Sequence, residues 1–581
     1  MTKYKHILVT KKEIKKAINI KGIIGNLLTN LAFNILSINK LTTIYNHAYN
    51  EDVDIFIDEI FKYNNNKINT SELDLSIIPQ TGPVIFLCNH PLGGWDGLAI
   101  IKTLLKIRPD TKFLVNFILS RVEPLKPYLL NVNPFETQKG IYSNITGIKE
   151  MYKHIEDGKS LFIFAAGEVS TIQKKSKTIE DKDWQKNIIK FAKNSKAPVI
   201  SCFISGKNSK FFHFLGKIHP MLRTFRLPKE LIRKKNTEIA IRFSGAMTIK
   251  EINKIDKIDT LANILKAKSY CLENEKSSNN IINENNNYQK IIDKTSNELI
   301  KIEIEKIKDS DLLFKTENYL CFFSRKDNIP NVFTEISRLR EITFREIGEG
   351  TGKSQDFDEF DSYYHHLFLW DEKDEEIVGA YRIGLGKEIL NTKLIQGFYL
   401  NSLFKFDNKP EILFTAAMEM GRSFIVQKSQ RKTLPLFLLW KGIYYVISKY
   451  PEYKYLIGPA SISNSYSLNS KILMVEYLKR YHSLPELSNF IEPRIPFKYT
   501  LNKNHEILLN FCGSELKNID KLIKDTDAFH IGFPILIKKY ISIGGKVLNF
   551  NIDPDFNYTI DGLVVLDINA ISQDILNSYN R

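Results

Sequence analysis

The chain has 581 residues, 43 % of them apolar and 25 % charged, which excludes global disorder, a collagen-like repeat and a disulfide miniprotein and leaves room for about four domains or two large ones. Lysine and arginine number 82 against 66 acids, a net charge of +16; the expected partner is anionic (nucleic acid, an acidic carrier protein or an anionic membrane surface), unless the excess is only a general richness in lysine. Five scattered cysteines (Cys88, Cys202, Cys271, Cys321 and Cys512) form no CxxC pair, which argues against zinc ribbons and thioredoxin-type sites and fits a reducing cytoplasm.

Along the chain, Met1 to Lys16 is basic, with no apolar run and small-residue cleavage site after it. Ile20, Ile24, Leu27, Leu28, Leu31 and Ile35 recur at helical spacing and predict an amphipathic helix. It is either core-facing or interfacial, lying in a membrane surface beside the basic Lys11–Lys21 stretch. No run of 18 apolar residues occurs; the longest candidate, Leu434 to Ile447, is interrupted by Lys441. Next come compact apolar runs bounded by turn residues: PVIFLC (83–88), SLFIFAA (160–166) and APVISCFI (197–204). They read as buried strands, separated by amphipathic stretches such as 146–158, and the alternation predicts an α/β domain with a largely parallel sheet.

The first run leads into Asn89-His90-Pro91-Leu92-Gly93-Gly94-Trp95-Asp96-Gly97. Paired glycines let the chain fold back, so Asp96 can reach His90. A carboxylate on one imidazole nitrogen fixes the tautomer and leaves the other nitrogen as a general base, suited to taking a proton from a hydroxyl that attacks a thioester. The alternative is two polar residues that merely decorate a turn.

NHPLGGWDG resembles the His–Asp motif of the glycerolipid (PlsC-like) acyltransferases, with five residues between the pair where four are usual. The longer spacing resembles the branch that contains lyso-ornithine-lipid O-acyltransferases and proteins misnamed haemolysins. Phe164-Ala165-Ala166-Gly167-Glu168-Val169-Ser170 stands in the place of that family's FPEGTRS block, and Ala197-Pro198-Val199-Ile200 matches its proline-containing strand. The resemblance implies His90 and Asp96 as the catalytic pair and Gly93, Gly94, Gly167, Glu168 and Ser170 as substrate-binding residues. Val169 replaces an arginine that, in the family, helps hold the acceptor's phosphate. A phosphate-free lysolipid acceptor is therefore expected.

Residues 274–289 contain seven asparagines in sixteen positions, too little apolar surface to offset ordering. They read as a linker, or as a long surface loop. The expected division is an O-acyltransferase domain at 1–273, a linker at 274–300 and a second domain at 301–581.

In the second half HHLFLW, EEIVGAYRIG, YKYLIGP and FKYTL read as strands. GTGKS (350–354) is not a Walker A loop, because position 347, where the first glycine belongs, is Ile. Asp356, Asp358, Glu359 and Asp361 cluster just before a run of aromatics. Taken alone they suggest a cation site for a metal or an ammonium group, or a solvated acidic loop. His365 and His366, being adjacent, face opposite sides of a strand and cannot share a metal; no metal is assigned.

FREIGEGTG, FDSYYHHLFLW, IVGAYRIG, Met418-Glu419-Met420-Gly421-Arg422-Ser423, Gly458–Ser463 and residues 550–567 closely resemble the GNAT-like N-acyltransferase that begins ornithine-lipid synthesis. That resemblance implies an α/β domain that transfers a 3-hydroxyacyl group to an amino acid, most simply ornithine. For that transfer a carboxylate must help deprotonate the ammonium and donors must hold the oxyanion; Glu346, Asp361 and Glu419 are the candidate acids, Arg345 and Arg422 the candidate anion holders and Ser423 a further substrate-binding residue. The usual coenzyme A pyrophosphate turn is replaced by Lys428-Ser429-Gln430-Arg431-Lys432. Such basic side chains suit an acyl carrier protein and its phosphopantetheine thioester as co-substrate, or else simply begin a solvated helix. The whole then reads as a bifunctional aminolipid acyltransferase, peripheral at the cytoplasmic face of the inner membrane, with no bound cofactor and no nucleic-acid partner. A lysophospholipid acyltransferase with a vestigial second half, use of glycine, and a lytic protein are the competing readings.

Overall fold

The computed structural model describes residues 36–116, 121–132, 140–173, 177–273, 288–407 and 411–574, with isolated positions between 10 and 34. The apolar positions of the expected N-terminal amphipathic helix, and all but the last two residues of the Asn-rich tract, lie outside the described residues. The chain forms two compact units. The first comprises residues 1–274, 502–512 and 524–531; the second comprises 275–501, 513–523 and 532–581. The division is thus not contiguous in sequence: two stretches expected in the C-terminal domain pack with the N-terminal one.

Seven strands make the sheet of the first unit. They are β1 (Lys67–Asn69), β2 (Val84–Cys88), β3 (Lys112–Asn116), β4 (Leu129–Val132), β5 (Ser160–Phe164), β6 (Val199–Ile204) and β7 (Glu238–Phe243), in the order β1-β7-β6-β2-β5-β3-β4. Every pair is parallel except β6–β7. Helices cover a parallel sheet on both faces, so its central strands carry unbroken apolar runs; β2 and β6 are buried at every position. The helices of this unit include α1 (Gly94–Leu105), α2 (Lys210–Ile218) and α3 (Pro220–Arg233). The late segment is held by Lys268, which meets Asp525 at 2.9 Å, and by the Gly245 amide, which donates to the Asp525 carbonyl at 2.8 Å.

The second unit departs from the parallel pattern. Its strands are β8 (Leu312–Thr316), β9 (Tyr319–Arg325), β10 (His365–Asp371), β11 (Glu376–Leu385), β12 (Ala417–Ile425), β13 (Tyr455–Ile462), β14 (Lys546–Asp553) and β15 (Thr559–Asp567), in the order β8-β9-β10-β11-β12-β13-β15-β14. Only β12–β13 is parallel. That ladder runs from Ala417–Tyr455 to Glu419–Ile457 and stops, while β12 continues beside β11 and β13 beside β15. At the stop, Arg422 has φ +48° and the β11–β12 register shifts, a bulge that bends β12 and re-aims its side chains. Helix α4 (Pro330–Glu346) packs on this sheet, and α5 (Thr433–Lys449) follows β12. FKYTL (497–501) is not a strand. Its Tyr499 is held by side chains instead, donating to Glu476 and accepting from Lys479 at 3.0 Å, with backbone pairing limited to a bridge at Pro496.

Candidate active sites

In the first unit, β2 delivers His90 to the C-terminal edge of the sheet, where α/β proteins place their ligands. Asn89 locks that edge: its side chain both donates to the Ile204 carbonyl (3.0 Å) and accepts from the Ile204 amide (2.7 Å). The chain then turns through Gly93, at φ +88°, into α1. Asp96 lies in the first turn of α1, fully buried. Its Oδ2 accepts from the amides of Leu92 (2.7 Å) and Gly93 (3.0 Å) and meets His90 Nδ1 at 2.9 Å. An anion at a helix N-terminus is favoured by the exposed amides and the dipole there. The imidazole stacks on Phe164 with ring centroids 3.9 Å apart. With Nδ1 turned to Asp96, the partly accessible ring has Nε2 left for a substrate proton.

The second loop of this site is organised by Asp181, which the sequence reading missed. Asp181 Oδ1 accepts from the Ser170 hydroxyl (2.6 Å) and the His90 amide (3.2 Å), Oδ2 accepts from Trp184 (3.2 Å), and its own amide donates to the Tyr270 hydroxyl (2.7 Å). The Ser170 amide donates to the His90 carbonyl at 2.8 Å. Burial raises the Asp181 carboxyl above its ordinary value. Ser170 and Asp181 thus fasten the Gly167–Ser170 block to the His90 loop. Gly167, at φ +71°, lies where an added Cβ would meet the Gln185 side chain. Glu168 pairs with Arg223 (2.5 Å) and Lys182 (2.6 Å). Gly93 and Gly94 pass directly under α3: an added Cβ would fall 2.9 Å from Leu227 at the first and would clash with Leu231 at the second.

In the second unit the acidic cluster does meet cations, and they are the chain's own arginines. Arg340 binds Asp361 (2.9 Å) and Asp356 (3.0 Å). Arg382 binds Asp358, and Asp361 at 3.2 Å. Arg422 binds Asp358 (3.0 Å) and Asp356 (3.1 Å). Burial alone would raise the Asp361 and Asp356 carboxyls, but the arginines hold Asp361 well below the usual carboxylate range and Asp356 below it. A carboxylate held so firmly ionised is a poor proton acceptor, so Asp361 positions rather than catalyses. Arg422 is likewise committed to its aspartates and lies over the rings of Tyr399 (4.7 Å) and Phe556 (4.4 Å); it is not an open anion holder. Arg345 is committed too, donating to Glu341 (2.7 Å) and to the carbonyls of Gln289 and Lys353. Glu341 in turn accepts from the amides of Thr351 (3.0 Å) and Gly352 (2.9 Å), filling with a carboxylate the loop that imitates a phosphate site. Glu346 is exposed at the end of α4. It lines a cavity of about 280 Å³ with Glu335, Arg338, Gln427 and Lys428, rather than joining Glu419.

Glu419 sits where the β12–β13 ladder ends. It accepts from the Tyr364 hydroxyl and from the amides of Tyr399 (3.1 Å) and Leu400 (2.7 Å), and burial still pushes it up to about 7. Nearby, on β14, β15 and the loop after α4, are further acids that the sequence reading did not single out. Burial, then Asp553, pushes Asp561 up to about 7 while it accepts from Ser461 at 2.6 Å. Burial, then Asp561, pushes the partly accessible Glu349 up to about 8. Tyr399 donates to Asp553 at 3.2 Å. Ser423 is partly exposed beside Arg422. His365 and His366 face opposite sides: one stacks on Phe323, the other against Phe333, and burial lowers them to about 3 and about 4. Among the described residues no group of His, Cys, Asp or Glu is arranged to hold a metal ion.

The two sites thus hold different chemistry: a His–Asp pair with one free ring nitrogen, and a cluster of proton-retaining carboxylates at a sheet opening. Residues 35–279 match the family model described as Acyltransferase, and residues 339–441 match the one described as Acetyltransferase (GNAT) domain. A glycine N(alpha)-acyltransferase of Bacteroides thetaiotaomicron is 29 % identical over 309 residues, covering 49 % of this chain and 88 % of that protein. One from Phocaeicola vulgatus is 29 % identical over 304 residues, covering 49 % and 91 %. A lyso-glycine lipid O-acyltransferase of Bacteroides thetaiotaomicron is 30 % identical over 146 residues, 24 % of this chain and 50 % of that protein. The chain is an acyltransferase whose N-terminal part matches the acyltransferase family model and whose C-terminal part matches the GNAT domain.

Proposed function

We propose that the chain carries out two successive acyl transfers that build a diacyl aminolipid. The GNAT unit acylates the α-amine of an amino acid with a 3-hydroxyacyl group; the first unit then acylates the free 3-hydroxyl. The observation that carries this reading is the pairing, in one chain, of a His–Asp site suited to a hydroxyl with a carboxylate site suited to an ammonium.

In the first transfer an amino acid enters as its ammonium form. Asp561 and Glu349, the second raised in part by the first, take its proton. The free amine attacks the thioester carbonyl, the carbon–sulfur bond breaks, and the thiol leaves protonated. Glu419, its oxygens already filled, holds the Tyr399–Leu400 turn against the site. The exposed Lys428, Arg431 and Lys432 before α5 complement an acidic acyl carrier protein as donor. In the second transfer His90 Nε2 takes the hydroxyl proton, Asp96 stabilises the imidazolium, and the proton passes to the departing thiolate. Joining both steps in one chain raises the effective concentration of the monoacyl intermediate. The lipid acceptor implies peripheral association with a membrane; among the described residues no helix is long and apolar enough to cross one.

Glycine is the preferred amino acid, because the similar proteins are named for glycine and glycine lipid. Ornithine is the second reading, favoured by the surplus of acids: Glu349, Asp553 and Asp561 are more carboxyl groups than one ammonium needs. Expression in a host without aminolipids, fed labelled glycine or labelled ornithine, tests both. A labelled diacyl lipid is expected from one of them; no new lipid from either overturns the reading.

A further inference from the structure

Residues 207–235 carry nine lysines and arginines and one acid, Glu230. The acid is buried, accepting from the Ser209 hydroxyl (2.8 Å) and from Arg226 (3.1 Å), so the surface of α2 and α3 presents positive charge alone. On the same hairpin Phe211, Phe214 and Ile218 recur at i, i+3 and i+7, and Leu222 and Phe225 at i and i+3. All five are exposed, by 40 to 59 %. The opposite faces are turned inward: Phe212 and His213 of α2 are buried, as are Arg223 and Glu230 of α3. Beside the stripe lies an open cleft of about 660 Å³, lined by Lys207, Arg226, Arg233, Lys234 and Lys235 along with Phe211 and Glu230. An apolar stripe flanked by cations is the pattern of a helix lying in an anionic interface, with the rings at the acyl boundary and the cations among the phosphates.

We propose that the α2–α3 hairpin is the surface by which the first unit docks on an anionic phospholipid bilayer, with headgroup phosphates seated in the cationic cleft. The proposal rests on the reading that this unit takes a lipid acceptor. It adds where that acceptor enters: α3 covers Gly93 and Gly94 through Leu227 and Leu231, accepts from the Trp95 indole at its Leu231 carbonyl (3.0 Å), and reaches the Gly167–Ser170 block through the Arg223–Glu168 pair. A lysolipid in the docked leaflet therefore emerges beside His90. The expected N-terminal amphipathic helix is a separate element, and the test separates the two.

The test is co-sedimentation of the full chain with vesicles of phosphatidylcholine alone or with added phosphatidylglycerol. The wild type is expected to partition onto the anionic vesicles, less so in high salt. Phe211→Ser with Phe214→Ser and Phe225→Ser, and separately Lys210→Glu with Lys217→Glu and Arg233→Glu, are each expected to weaken that partition by about tenfold or more. Unchanged circular dichroism and an unchanged unfolding transition of the first unit establish that the variants are folded. Wild-type binding by both triple variants, or equal wild-type binding to neutral vesicles, overturns the proposal. Failure of the underlying reading looks different: the wild type would bind vesicles yet acylate no lysolipid, whether in vesicles or in detergent.

Discussion

The Ser170 hydroxyl donates to Asp181 at 2.6 Å, and the same carboxylate oxygen accepts from the backbone amide of His90 at 3.2 Å. One buried acid therefore sets the spacing between the two loops of the first site. Asp181→Asn keeps the shape but replaces an acceptor by a donor toward Ser170. O-acyl transfer is expected to fall by about a hundredfold, the cost of a small displacement at a reacting centre. N-acyl transfer should be untouched. Radiolabel in monoacyl against diacyl product reads the difference; equal loss of both steps would mean general misfolding.

His90→Ala is expected to stop the second transfer and leave the first intact. The loss should be at least the 10²- to 10⁴-fold typical of general base catalysis. Mass spectrometry of lipids from expressing cells should show the monoacyl species accumulating. If the N-acylated product vanishes too, the two sites depend on one another.

The acid limb of N-acyl transfer should be set by Asp561 and Glu349, which lose their protons at about 7 and about 8. The rate per substrate therefore climbs as pH rises through 7–8, and Glu349→Gln should lower it and move the inflection. Stability runs the other way. Both carboxyls titrate higher folded than unfolded, so their contribution is whole below the unfolded value near 4 and is lost as pH rises through about 8. The double variant Glu349→Gln, Asp561→Asn should flatten that decline in an unfolding series from pH 5 to 9.

Asp361→Ala removes one carboxylate from between Arg340 and Arg382 and leaves buried guanidinium groups short of charge. Breaking one partner of such a network costs about 3–5 kcal/mol. Calorimetry should show the unfolding transition of the second unit moving down while that of the first stays put. A variant with full stability would restore Asp361 as a candidate proton acceptor.

Local signals carried the first site far. His90 and Asp96 are six residues apart on a strand–turn–helix, and that geometry follows from the paired glycines. Asp181 was invisible because it sits in a charged stretch, Glu180 to Asp183, that resembles any solvated loop; only the closing of Tyr270 and Trp184 over it buries it. In the second unit the clustered acids suggested a site for a metal or an ammonium group, or a solvated loop; the structure instead pairs them with the chain's own arginines. The answering arginines stand at 340, 382 and 422, on three different elements, so no window of sequence shows them together. The antiparallel character of the second sheet was equally hidden, since fully buried strands carry the same apolar runs in either direction. FKYTL had the alternation of a strand, but Tyr499 found side-chain partners instead.

The return of residues 502–512 and 524–531 to the first unit bears on how the molecule is made. A ribosome finishes residues 1–273 long before it reaches Asp525, the partner of Lys268. At about 5–20 residues per second, the nascent first unit waits some tens of seconds for its last helix. During that wait it is a client for chaperones, and a stop codon placed after residue 300 would leave it in that unfinished state for good. Expressing the O-acyltransferase half alone should therefore yield insoluble protein, whereas supplying residues 502–531 as a separate peptide offers it the missing surface.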